Sequence, residues 1–231
     1  MKKLTLLLLA LLYVTLTYAY TERDLLQKQA DINQLKEILV LDRQWVTYPD
    51  YNDRAGWDRF LGTFKDEYIR RGEKRLNYQW QVVKATDYLA FERTGNRQIM
   101  EKPFGANNGA IADLLMAELA EGKGRFVDQL INGVFNACEM TSWALAAHII
   151  VQPSHRALPA YDYPVIDLTS GDLGGLLAWT YHFMRPSFDK VDPEISRRLR
   201  HELQTRILDP YMNNDSFWWM GRNYNGRMLN N

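Results

Sequence analysis

Between residues 52 and 72 apolar side chains recur every three or four positions, at Trp57, Phe60, Leu61, Phe64 and Tyr68. That is the helical period, and it predicts an amphipathic helix capped by Asn52 or Asp53 and closing near Gly72. The same pattern predicts a second helix over residues 74–93 through Leu76, Trp80, Val83 and Leu89, stopped by the turn Thr94-Gly95-Asn96. A third is expected over residues 108–119 through Ile111, Leu114, Leu115 and Leu119, ending at Glu121-Gly122-Lys123-Gly124. The fourth, over residues 125–150, is apolar almost all round and is expected to be buried. Its Asn132, Asn136, Glu139 and Trp143 fall on one stripe, which on a buried helix is expected to line a cleft; His148 falls on the opposite side. After a loop over residues 153–164, Thr169-Ser170-Gly171-Asp172 caps a fifth helix that runs through Leu173, Leu176, Leu177, Thr180 and Met184 to Pro186. Asp192-Pro193-Glu194 opens a sixth, with Ile195, Leu199, Leu203 and Ile207 at every fourth residue and Asp209-Pro210 at its close. The class is all-α: antiparallel helical hairpins arranged side by side.

Composition narrows the function. At 231 residues, 46% hydrophobic and 24% charged, the chain is that of a globular protein with a real core. Its 28 Lys+Arg balance 28 Asp+Glu, so no whole-molecule field draws it to nucleic acid, and no nucleic-acid partner is expected. Lys2-Lys3, the apolar run over residues 4–16 and Thr17-Tyr18-Ala19 read as a signal peptide over residues 1–19, ahead of a helical domain over residues 20–231. The run is shorter than the roughly 20 apolar residues a spanning helix needs, so no stable membrane insertion is expected. Periplasmic or secreted localisation follows, and the single cysteine, Cys138, excludes an internal disulfide. The four His lack metal-site spacing, and there is no phosphate loop, dinucleotide fingerprint or Gly-x-Ser-x-Gly elbow; neither metal nor other cofactor is expected.

The residues from Tyr211 onward are rich in aromatic side chains and Asn. Sugar rings stack their CH faces on such aromatics, and their hydroxyls need the donors and acceptors of amides. Trp218, Trp219, Arg222 and Asn225 are therefore substrate-binding candidates, joined by Trp143 and expected to share its groove. Glu139 is the best single acid, because a carboxylate buried in an apolar helix would have its pKa raised by desolvation. Tyr181-His182 pairs the two side-chain types suited to abstracting an acidic C–H proton, and Tyr181 is carried as a substrate contact.

A series of strings then adds a family likeness. Ala85-Thr86-Asp87-Tyr88-Leu89-Ala90-Phe91 with Thr94-Gly95-Asn96-Arg97, Ala137-Cys138-Glu139-Met140-Thr141-Ser142-Trp143, Val165-Ile166-Asp167-Leu168, Leu177-Ala178-Trp179-Thr180-Tyr181, and Trp218-Trp219-Met220-Gly221 leading to Asn230-Asn231 follow one another along the chain. In this order the chain resembles the Bacteroidetes branch of the heparinase II/III-like polysaccharide lyases. The resemblance implies an incomplete (α/α) toroid of helical hairpins, followed in the family by β-sandwich domains. It also implies β-elimination on an acidic, uronate-containing polysaccharide of heparin or heparan type. Asn230 and Asn231 match the start of an Asn-Asn-Trp motif, which gives them, with Glu139, the catalytic expectation of neutralising the uronate carboxylate. Because nothing follows Asn231, the chain is expected to be truncated, to lack the rest of the toroid and the β-sandwich part as partners, and to be inactive alone. Two alternatives stand beside this one: a non-catalytic glycan-binding helical module, and an α/α-barrel glycoside hydrolase with Glu139 and Asp167 or Asp172 as its acids.

Overall fold

The computed structural model describes residues 28, 29, 31–40, 45–214 and 217, and all its regular elements among these are helical. The chain divides into two units, Met1–Thr47 and Tyr48–Asn231. The first contains α1 (Ile32–Ile38), whose N-cap Asp31 accepts from Asn33 N at 2.9 Å; residues 1–19, read as a signal peptide, lie outside the described residues.

The second unit opens with α2 (Arg54–Leu61), capped by the Asp53 side chain as its spacing predicts. Gly62, at φ 51°, breaks the run into a short 3-10 turn before α3 (Lys65–Glu73). Then come α4 (Ala85–Thr94), α5 (Gln98–Glu121), α6 (Val127–Cys138) and the one-turn α7 (Ala146–Ile149). There follow α8 (Leu168–Val191), α9 (Pro193–Leu203), a π turn over Gln204–Leu208 and α10 (Asp209–Met212). Helix α5 is the central post: α2, α3, α4 and α6 all pack on it, and α9 packs on both α6 and α8. Tyr88, Ile111, Leu114, Phe126, Leu130, Leu177 and Phe188 are fully buried in the shared core. Glu118, also fully buried, ties the sequence before α2 to the α5–α6 turn by accepting from Tyr51 Oη at 2.6 Å and Gly124 N at 2.8 Å.

Four expectations are corrected. Residues 74–84 are not helical, because the Asn107 side chain takes both Gln81 N, at 3.0 Å, and Gln81 O, at 2.7 Å, in place of helical partners. Helix α5 starts ten residues earlier than expected and runs through Pro103. Helix α8 likewise runs through Pro186 to Val191, with its cap at Asp167 rather than within residues 169–172. The expected helix over residues 125–150 stops at Cys138, where two arginines of the α9 region take the Cys138 carbonyl. Loss of that helix turns the predicted stripe apart. Asn132 is exposed, Asn136 accepts from Asn107 Nδ2 at 2.9 Å, and only Trp143 lines a cavity.

Candidate functional site

The break after α6 makes a site. Residues 139–145 leave the helix as a turn held on three sides: Trp143 Nε1 donates to Ala137 O at 2.9 Å, Tyr88 Oη to Ser142 O at 2.9 Å, and Leu145 N to Asp167 Oδ2 at 3.0 Å. Burial pushes the Tyr88 hydroxyl up to about 12, although its bond to Ser142 opposes this, so it remains a donor. Above this turn lies a cavity of about 460 Å³, a volume ordinary for a small-ligand site. Its floor is Thr141, Ser142 and Trp143, its roof the loop over residues 159–165, and its wall Glu202, Thr205 and Arg206.

The wall is set by spacing. Arg198, Glu202 and Arg206 are four residues apart and share one helix face. Arg198 Nε reaches Glu202 Oε1 at 2.8 Å and Arg206 Nε reaches Oε2 at 2.5 Å. Burial drives the Glu202 carboxyl upward, but the two guanidiniums win and hold it below the usual range. Arg206 also donates to Cys138 O at 3.1 Å and lies 5.3 Å over the Trp143 ring, as a cation over an aromatic face. The π turn carries Thr205 and Arg206 at the cavity; such insertions recur at functional sites.

The roof is anchored as firmly. Gln152, fully buried, donates through Nε2 to Arg156 O at 2.6 Å and Leu158 O at 2.8 Å, and accepts from Ala160 N at 2.9 Å. Glu92 of α4 pairs with Arg156 at 2.9 Å and accepts from Ala157 N. Beside the cavity, the Asp167 carboxylate is wholly buried and takes a hydrogen bond from His148 Nδ1 at 2.6 Å. Burial raises its pKa, but bonds from His148, Ser170 N, Leu145 N and Thr169 outweigh this and keep it low.

Of the residues expected at a site, Trp143 alone is brought to this cavity among those described. Glu139 is not buried: its side chain is 66% exposed at the end of α6, paired with Arg198 at 3.2 Å. Cys138 and Met140 on either side of it are buried, so Glu139 faces the other way. Tyr181 is half-buried on α8, with Arg185 5.8 Å from its ring, and does not line the cavity. Trp218, Trp219, Arg222, Asn225, Asn230 and Asn231 lie outside the described residues. Sequence reasoning missed Gln152, Tyr161, Glu202, Arg206 and the His148–Asp167 pair. The spacing of residues 198, 202 and 206 was the available signal for the ion lattice; the Gln152 clamp had none.

A second groove, of about 370 Å³, is walled by Tyr48, Trp57, Phe60, Trp179 and Phe183 and is almost wholly apolar. Among the described residues no cluster of three or more His, Cys, Asp or Glu could hold a metal, and no helix is long and apolar enough to cross a membrane. No model of a known protein family matches the chain, and no curated protein matches it.

Proposed function

We propose that this chain is the helical part of an exported polysaccharide lyase, its hairpins forming part of an incomplete (α/α) toroid. It acts by β-elimination on a uronate-containing, heparin- or heparan-like polysaccharide, and the cavity over Trp143 holds one sugar ring of that chain. The observation that carries the reading is convergence. Thr141 to Trp143 and Val165 line one cavity, and Tyr88 and Asp167 hydrogen-bond to the turn that forms its floor, so residues of three separate strings of the family likeness come together there. The lining also has the right chemistry: the Tyr161 and Tyr163 rings for the CH face of a sugar, with the Thr141, Ser142 and Thr205 hydroxyls and the Asp162 carboxylate for its hydroxyls, while the Trp143 indole, 2% exposed and covered by Arg206, forms the floor beneath them.

In the elimination a base removes the proton at C5, a double bond forms to C4, and the leaving glycosidic oxygen takes a proton. Charge accumulating beside the uronate carboxylate must be damped, which is the part proposed for Asn230 and Asn231. Arg206 does not supply it. It is the one cation among the described lining residues, and it is committed to Glu202 and the Cys138 carbonyl. The cavity therefore suits the hexosamine of the repeat in its unsulfated, N-acetylated form rather than the uronate.

The glycan-binding alternative draws support from the same fact, since the cavity offers no free cation to a uronate carboxylate. The hydrolase alternative loses support: Glu139 faces solvent, Asp172 is exposed on α8 away from the cavity lining, and Asp167 is spent on a helix cap and His148. The test is to titrate the purified chain with heparan sulfate, chondroitin sulfate and alginate oligosaccharides by calorimetry while following the ultraviolet absorbance of unsaturated ends. Binding of a uronate-bearing oligosaccharide without cleavage is the expected result for the chain alone. New reducing ends without absorbance would favour the hydrolase, and failure to bind any of the three would overturn the proposal.

A further inference from the structure

Tyr161 stands at the mouth of the cavity and is 99% exposed. A lone exposed aromatic is ordinary on a protein surface, but the backbone beneath this one is not. The buried Gln152 amide holds the carbonyls of Arg156 and Leu158 and the N–H of Ala160, the residue next to Tyr161. Glu92 fixes Arg156 and Ala157 from α4, and the turn that starts the loop holds His155 in the left-handed region at φ 53°. A non-glycine residue persists there only when its surroundings over-determine it. The lip of the cavity is thus ordered before any ligand arrives, and a Tyr ring with only two side-chain torsions adds little ordering cost on binding.

We infer that Tyr161 is an outer stacking platform for a pyranose ring entering the cavity, and that Gln152 is the residue that positions it. The inference rests on the carbohydrate reading and goes beyond it by assigning a recognition residue and the side chain that presents it. The ring offers its apolar face to Tyr161, while its hydroxyl edges meet Asp162 beside it and the Ser142 and Thr205 hydroxyls below. A nucleotide would bring a stackable base but also a phosphate. The only lining cation among the described residues, Arg206, is already spent.

The experiment measures dissociation constants of the full chain for a heparan sulfate hexasaccharide by calorimetry, with adenosine monophosphate as the ring-bearing anionic control. Tyr161→Ala, at a side chain that packs on nothing, should weaken hexasaccharide binding about tenfold, whereas Tyr161→Phe and Tyr161→Trp should stay within about twofold. Gln152→Met keeps the buried volume but removes all three hydrogen bonds, and should weaken binding to a similar degree. In a double-mutant cycle it should add nothing to Tyr161→Ala, an outcome that a purely structural role for Gln152 would not give. Hexasaccharide binding indifferent to Tyr161→Ala, a Gln152→Met loss that persists undiminished in the double variant, or tighter binding of the nucleotide would overturn the inference and leave the carbohydrate reading of the fold standing. Absence of any saccharide binding by the unmodified chain would overturn both.

Discussion

Arg206 uses every face of its guanidinium: the edge on the Glu202 carboxylate and the Cys138 carbonyl, the plane on the Trp143 ring. That is a task for a planar fork rather than a point charge. Arg206→Ala is expected to destabilise the protein by about 2 kcal/mol, the cost of removing charge-assisted hydrogen bonds from a buried carboxylate. Arg206→Lys should recover less than half of that, and urea unfolding midpoints measure both. The residue scale is also where sequence reading was least secure. Trp143 was legible because an indole among polar residues has a recognisable chemistry. Glu202 and Arg206 carry no such mark, since nothing local announces that the Trp143 turn, some sixty positions earlier, packs against that face. Glu139 was misread for the complementary reason: its burial was deduced from a helix that the Cys138 carbonyl, captured by Arg198 and Arg206, does not continue.

At the scale of elements, caps carry most of what could be foreseen. Asp53 and Asp192-Pro193 start helices where their chemistry says they should. The stretch over residues 74–84 has the helical period yet is not helical, because its Trp80 docks on α6 and its Gln81 pairs with Asn107 of α5, both contacts distant in sequence. Gly133 makes the docking possible: a Cβ there would lie 2.4 Å from the Trp80 ring. Gly133→Ala should therefore lower stability by about 2 kcal/mol even though alanine favours helix by about 1 kcal/mol, and Trp80→Phe should relieve part of the loss. A thermal midpoint unchanged or raised by Gly133→Ala would contradict the packing. Pro186 presents the opposite case. It sits exposed within α8, lacking the N–H that would bond to the residue 182 carbonyl. Pro186→Ala should raise stability by about 1–2 kcal/mol, read as a higher thermal midpoint; a decrease would mean that α8 needs its proline to meet α9.

For the whole molecule the informative variable is pH. Asp167 and Glu202 are both held below their ordinary values in the folded state. The native protein then binds fewer protons than the unfolded chain just below the free carboxylate values of about 4, so unfolding takes up protons there. Stability is fully present above about pH 5 and is lost as pH falls through the carboxylate range. Asp167→Asn should be less stable than the natural protein at pH 7 but show a flatter decline between about pH 5 and 3, because one of the groups that must be protonated is gone. Denaturant melts at stepped pH measure this, and parallel slopes for the two proteins would refute the assignment of Asp167. Both carboxylates belong to the surroundings of one cavity, so the acid limb should coincide with loss of the proposed saccharide binding.

The cavity also has a schedule. Its floor at Trp143 leaves the ribosome about sixty residues before its wall at Arg206, which at roughly 5–20 residues per second is an interval of about 3–12 s. Helices α2 to α6 have everything they need to pack on α5 by then, while the indole waits without the guanidinium that will cover it. For that interval Trp143 is an apolar surface on an otherwise assembling domain, which makes the nascent cavity the place where a chaperone would grip and where a stalled chain would first stick to another.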